Sequence, residues 1–320
     1  MSATERRIAV VGAGAIGGWI AGRLARSGER GSLIARNGTL RAMRDGLSLT
    51  EGGTTVHADI RATDDPAALG VQDVLVLAVK APSLAAAAEA ARPMIGPATR
   101  IVPMLNGVPW WFTDRRLESV DPGGRIAAAL PGEQVIGCVV HAACSRPKPN
   151  HVVVSHADKL ILGEPAGGAS ARIDELAALL EGSGIRTEAS ENVRRAIWYK
   201  LWGNATINPL SALTRSTADR LLVSPEVRAW MLEAMAELAA VGAAIGCPIS
   251  ESGDDRMAVT ARLGAFKTSM LQDVEAGRPI ELEALLGAPR EIAAHAGIPT
   301  PQLDRIYGLT RLMGESLGLL

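Results

Sequence analysis

A short apolar run, Arg7 to Val11, leads directly into the hexapeptide GAGAIG. Few local patterns restrict a fold as strongly. Gly12, Gly14 and Gly17 have the GxGxxG spacing, with Ala13, Ala15 and Ile16 between them. In a strand–turn–helix unit the first glycine permits the sharp turn, the second lets backbone approach a pyrophosphate, and the third lets the helix pack closely on the strand. The flanking pattern is the required one: a helix is expected over Ala15–Ser27, ending at Gly28, and a second strand over Gly31–Ala35. The free N–H groups and dipole of such a helix start suit a phosphate. The bland alternative is a glycine-rich turn that binds nothing.

The end of the second strand selects between cofactors. Dinucleotide folds that take NAD usually carry Asp or Glu there, about 20 residues past the glycines, for the ribose 2′-hydroxyl. This chain has Arg36, 19 residues past Gly17, and no acid at Ala35 or Asn37. A guanidinium suits a 2′-phosphate, so the pattern favours NADP(H). Arg41 is close in sequence but reads as a solvated helix residue. Further buried strands are expected over Asp73–Val79, ending at Lys80, and over Arg100–Leu105, ending at Asn106–Gly107. Ligands in open α/β sheets bind beyond the carboxyl ends of the strands. Lys80 and Asn106 stand at two such ends; a surface lysine and an Asn–Gly turn are the ordinary readings of the same residues. Trp110 and Trp111 follow, and two rings there wall a pocket or bury against a second domain.

Beyond residue 125 the runs 134–143 and 151–162 are β-rich and are expected to extend the sheet as an antiparallel pair. A helix over Ala169–Ser183 and a final strand over Gly184–Ala189 follow. From Glu191 the periodicity is helical throughout. The expected organisation is α/β: an N-terminal Rossmann-type dinucleotide-binding domain over 1–190 and a C-terminal all-helical domain over 191–320.

In that second half KLWGNATINPLSAL sets Lys200, Asn204 and Asn208 four residues apart. Residues at this spacing share one helix face, here within an apolar run. Buried amides and ammonium groups need partners, and a ligand is one source; a wet helix face is the other explanation. Pro209 has no N–H for the carbonyl of Ala205, so a kink or break is expected near Asn208. Downstream, Gly277–Arg278–Pro279 is expected to separate two helices, with Ser269 before the break and Glu281 in the first turn after it. A carboxylate at a helix start is ordinary on dipole grounds alone.

Composition excludes several classes. With 33 basic and 34 acidic residues, net charge −1, nothing global favours nucleic acid or an anionic membrane. Aromatics are 3%, too few for a base-stacking platform, and no apolar run is long and charge-free enough to span a bilayer. Arg6 and Arg7 before an apolar stretch imitate a secretory leader, but the glycine spacing explains that stretch instead. Three cysteines without a CxxC pair suit a reduced, cytoplasmic setting. The histidines show no helical metal-ligand spacing, so no metal is assigned.

Taken in order, GAGAIG at 12–17, Arg36, VKA at 79–81, LNG at 105–107, LGEP at 162–165, KLWGNATINPLSAL at 200–213 and SMLQDVEAGRPIELE at 269–283 resemble the ketopantoate reductase (2-dehydropantoate 2-reductase) family over nearly the whole chain. The last two segments are long and specific. The resemblance implies a Rossmann domain joined to a helical domain with the active site between them, NADPH-dependent reduction of a 2-keto acid, and a possible homodimer. It assigns Lys200 as catalytic general acid and Glu281 as active-site carboxylate. Asn106, Asn204, Asn208 and Ser269 match substrate-site positions. Gly12, Ala13, Gly14, Ala15, Ile16, Gly17, Arg36, Lys80 and Asn106 match cofactor contacts. The bulky Trp110–Trp111 pair departs from the family's common form, which leaves a different 2-keto acid or an imine as alternative substrates. A non-enzymatic NADPH sensor is disfavoured because Lys200 and Glu281 are both present.

Overall fold

The structure, a computed structural model, describes residues 6–320. It divides into two compact units, and these are not two contiguous stretches of chain. The first holds the described residues up to Leu105 together with Arg125–Val193; the second holds Asn106–Gly124 and Arg194–Leu320. The expected division at 190/191 assigned residues 106–124 to the nucleotide domain; they pack with the helical unit instead.

The first unit carries ten strands: β1 (Ile8–Val11), β2 (Gly31–Ile34), β3 (Leu47–Glu51), β4 (Thr54–Ala58), β5 (Arg61–Thr63), β6 (Val74–Leu77), β7 (Arg100–Pro103), β8 (Gly137–Lys148), β9 (His151–Gly163) and β10 (Thr187–Ala189). Its helices are α1 (Ala15–Arg26), α2 (Asn37–Ala42), α3 (Leu84–Ala91), α4 (Arg125–Ala129) and α5 (Ala171–Gly182). One sheet is wholly parallel in the order β5-β2-β1-β6-β7. All four residues of β1 and of β6 are buried, as expected of strands covered on both faces.

The β8–β9 pair is antiparallel, but it does not extend this sheet. It belongs to a second one, in the order β10-β9-β3-β4 with β8 on β9. Only an isolated bridge, Ile101 to Val135, links the region before β8 to β7. The reason lies in α1. A Cβ on Gly18 would lie 2.7 Å from a Val152 methyl, and one on Gly22 would lie 3.2 Å from a Leu47 methyl. Two glycines four residues apart thus give α1 a second bare face. The second sheet lies against that face as another layer.

The second unit contains α6 (Val193–Thr214), α7 (Ala218–Val223), α8 (Pro225–Ala244), α9 (Gly253–Ala261), α10 (Ser269–Glu275), a π-helical turn over Glu283–Gly287, α11 (Ala288–His295) and α12 (Pro301–Ser316). Helix α6 runs through Pro209, so of the kink or break expected near Asn208 the break does not occur. Two indoles hold α6 to α8. Trp198 donates to the Leu238 carbonyl at 3.0 Å, and Trp202, one turn on, donates to the Met235 carbonyl at 2.8 Å. Both rings are buried. This packing holds the helix against α8, while Pro209 removes a single backbone hydrogen bond. No helix among the described residues is long and apolar enough to cross a membrane.

The indole clamp yields a stability prediction. A Cβ at Gly242 would lie 2.3 Å from Trp198 Nε1 and 2.7 Å from the Cys247 carbonyl. Overpacking of this kind costs about 1–3 kcal/mol. Gly242→Ala is expected to lower the thermal unfolding midpoint measured by calorimetry; an unchanged midpoint would show that α8 can move away from Trp198 at no cost.

Candidate active site

In the first unit the residues expected to meet a dinucleotide gather at the carboxyl ends of parallel strands. Gly12 has φ +108°, and a Cβ there would lie 2.8 Å from the Ala78 carbonyl oxygen, so the turn out of β1 admits only glycine. A Cβ on Gly17 would lie 1.9 Å from the Gly12 oxygen. Gly14, by contrast, faces open space, with nothing within 4 Å of its would-be Cβ, and no side chain caps the start of α1. An open cradle above uncapped helix N–H groups fits a pyrophosphate. Arg36, at the end of β2, is the exposed residue before α2. Among the described residues no carboxylate pairs with it, which suits a guanidinium reserved for a phosphate. Lys80 is half-buried, three residues past the end of β6.

In the second unit the polar stripe of α6 meets two partners that lie far away in sequence. Lys200 Nζ donates to Asn106 Oδ1 at 2.9 Å, and Asn106 Nδ2 donates to Glu281 Oε2 at 3.4 Å. One amide therefore joins the ammonium to the carboxylate, its oxygen toward the cation and its N–H₂ toward the anion. Glu281 is only 8% exposed. It stands just before the helical turn expected to contain it, accepting at its own carbonyl from the Leu285 N–H at 3.2 Å. Asn208 is buried and donates to the Ser269 hydroxyl at 3.5 Å. Asn204 and Asn208 share the wall of a cavity of about 150 Å³ with Met231, Met235, Met257 and Arg256. Arg256 is a polar residue of this region that the sequence reading missed. Its guanidinium lies 5.6 Å from the centre of the Tyr199 ring, and the 56 residues between Tyr199 and Arg256 leave no local signal.

Asn106 is placed by its neighbours. Gly107 has φ +80°, and a Cβ there would lie 2.2 Å from the Ala284 carbonyl oxygen. That same oxygen accepts from the Val108 N–H at 2.8 Å. The Asn–Gly pair is thus both a turn and a docking point on the π-helical turn that follows Glu281. Trp110 is buried, Trp111 half-buried and Phe112 stacks on Trp198 with centroids 5.8 Å apart, all within the second unit. Neither tryptophan lines the cavity beside Asn204 and Asn208. The LGEP segment lies elsewhere, in the first unit, where hydrogen bonding to Arg172 holds the Glu164 carboxyl below its ordinary range.

Residues 8–167 match the family model for the ketopantoate reductase PanE/ApbA, and residues 192–314 match that for its C-terminal part. The chain belongs to the ketopantoate reductase family. The 2-dehydropantoate 2-reductase of Mesorhizobium japonicum is 38% identical over 98% of this chain and 99% of its own. A solved structure from Ralstonia solanacearum MolK2, provisionally named a ketopantoate reductase, is 50% identical, with a TM-score of 0.96 over 99% of this chain and 100% of that one. The fold extends further: a D-mandelate dehydrogenase solved with NADH and anilino(oxo)acetate is 21% identical, with a TM-score of 0.86 over 98% of this chain and 99% of that one. Membership makes the protein an oxidoreductase of the CH–OH class with a nicotinamide dinucleotide, NADP(H) in this family, as cofactor.

The Gly107 docking point can be tested without turnover. Gly107→Ala adds a methyl where the Ala284 oxygen stands, and it forces alanine into a left-handed conformation. Amide hydrogen exchange at Val108 is expected to accelerate sharply in this variant; protection equal to wild type would mean that the Ala284 contact does not hold the turn.

Proposed function

We propose that the protein reduces ketopantoate (2-dehydropantoate) to pantoate with NADPH, in pantothenate and coenzyme A synthesis in the cytoplasm. The observation that carries this reading is the Asn106 amide joining Lys200 to Glu281. Bound NADPH supplies the hydride that goes to C2 of the keto acid. As the C–H bond forms, negative charge grows on the C2 oxygen, where a cationic Lys200 stabilises it. Lys200 then gives up one N–H proton to that oxygen as general acid and regains it from water. Asn106 fixes the direction of the ammonium through its oxygen. Glu281 accepts a hydrogen bond from the substrate's hydroxyl, and its charge keeps Lys200 protonated. Asn204, Asn208 and Ser269 hold the carboxylate with neutral donors. On the cofactor side, the turn Gly12–Gly17 takes the pyrophosphate, Arg36 the 2′-phosphate, and Lys80 and Asn106 complete the contacts. A homodimer belongs to the same reading.

One feature favours a second substrate. The cavity beside Asn204 and Asn208 combines Met, Leu and Phe side chains, among them Leu222, Leu263 and Phe266, with the polar Thr206, Thr260 and Arg256. Its volume of about 150 Å³ is enough for a benzene-sized group, and methionine walls adapt in shape. A 2-keto acid with a bulkier apolar group is the alternative it supports.

Steady-state kinetics with a panel of 2-keto acids and NADPH separates the two. Ketopantoate is expected to have the highest kcat/KM. A hundredfold preference for a bulkier acid, about 2.7 kcal/mol of transition-state discrimination, would replace it. For the cofactor, Arg36→Ala removes a charge-assisted bond and is expected to raise KM for NADPH more than about tenfold while leaving KM for NADH unchanged. Equal use of NADPH and NADH by the wild type would refute the role of Arg36.

A further inference from the structure

The stretch Asn106–Gly124 leaves the nucleotide unit, packs with the helical one and returns. Its apolar residues Val108, Trp110, Phe112 and Leu117 are buried. Apolar burial is non-directional; it keeps the stretch on the unit without fixing its position to a fraction of an ångström. Directional bonds do that. Besides the bonds of Asn106 itself and an exposed Arg194–Asp114 ion pair, two sets among the described residues join the stretch to the segment that begins at Glu281. One is Val108 to Ala284, described above. The other is a carboxylate seat: Glu291 Oε1 accepts from the Glu118 N–H at 2.9 Å, while its Oε2 accepts from the Ser119 N–H at 2.9 Å and the Ser119 hydroxyl at 2.7 Å. Both oxygens of Glu291 are used. Burial works to raise this carboxyl, but the bonds from Ser119 and from the Glu118 amide, helped by His295, outweigh it and hold it below its ordinary value. The group stays ionised, and bonds to it are of the strong, charge-assisted kind.

Glu291 lies on α11, ten residues past Glu281, or about 15 Å along a helix. We propose that Glu291 is a positioning residue: by anchoring Glu118 and Ser119 it fixes the 106–124 stretch along the Glu281 segment and so sets the Asn106 amide between Lys200 and Glu281. This rests on the reading of Asn106, Lys200 and Glu281 as the reacting site. The stretch is thereby tied at Val108 and at Ser119, with Trp110, Phe112 and Leu117 between the two ties, to one continuous helical segment. A shift of Asn106 relative to Glu281 requires breaking one of the two ties.

The test is a mutant cycle on the full-length enzyme with NADPH and ketopantoate. Glu291→Gln keeps the shape but turns one acceptor into a donor that faces N–H groups. It is expected to lower kcat about tenfold, with KM for NADPH unchanged and the thermal midpoint within a few degrees of wild type. Ser119→Ala, which removes only the hydroxyl bond, is expected to show a smaller loss of the same kind. In an Asn106→Ala background, itself strongly impaired, Glu291→Gln is expected to cost nothing further. The same tenfold loss in both backgrounds, or wild-type kcat in both single variants, overturns the proposal. If Glu291→Gln does not fold, Ser119→Ala carries the same cycle. Wild-type kcat in Asn106→Ala itself overturns the reading of the site, and the positioning role falls with it.

Discussion

A primary amide has two different ends, and the second unit is organised around one of them. Asn106 accepts from the Lys200 ammonium through its oxygen and donates to the Glu281 carboxylate through its nitrogen. A carboxylate at this position would repel Glu281, and an apolar residue would take one hydrogen bond from each charge. Hydrogen bonds to charged groups contribute about 1.5–3 kcal/mol each, and losing one partner in a buried site costs more than the bond gave. The site therefore depends on Asn106 being where both groups can reach it, although it comes from a different stretch of chain than either.

That placement is built from backbone and packing. Two indoles of α6 bonded to carbonyls of α8 orient the helix so that Lys200 faces Asn106. Gly107 allows the chain to settle against Ala284, in the π-helical turn that follows Glu281. Such turns are uncommon and often accompany functional sites; here one supplies the carbonyl that receives Val108. The polar contacts of the site are few, and the apolar structure beneath them makes their geometry reproducible.

Much of this was legible in the sequence, for physical reasons. The glycine spacing specified the turn out of β1, because steric demands at Gly12 and Gly17 are local. The α6 stripe was visible because a four-residue spacing projects onto one face. The second sheet was not, since a β-rich run does not say which sheet it joins; the signal was Gly18 and Gly22, which bare a second face of α1. The excursion of 106–124 was also hidden. Its apolar residues read equally well as part of either unit, and only Trp110 and Trp111 hinted at burial elsewhere. Pro209 does not break α6: its missing backbone bond is a local loss, whereas the packing of Trp198 and Trp202 on α8 involves residues far away in sequence. Glu291 and Arg256 carry no motif at all.

In the proposed function the Lys200–Asn106–Glu281 arrangement holds the reacting end of the substrate. A crystal structure of the protein with NADP⁺ and pantoate tests it most directly. The C2 oxygen of pantoate is expected about 3 Å from Lys200 Nζ, with the terminal hydroxyl on Glu281 and Asn106 still between the two. Pantoate bound with its C2 oxygen away from Lys200, its hydroxyl on other groups, would contradict it.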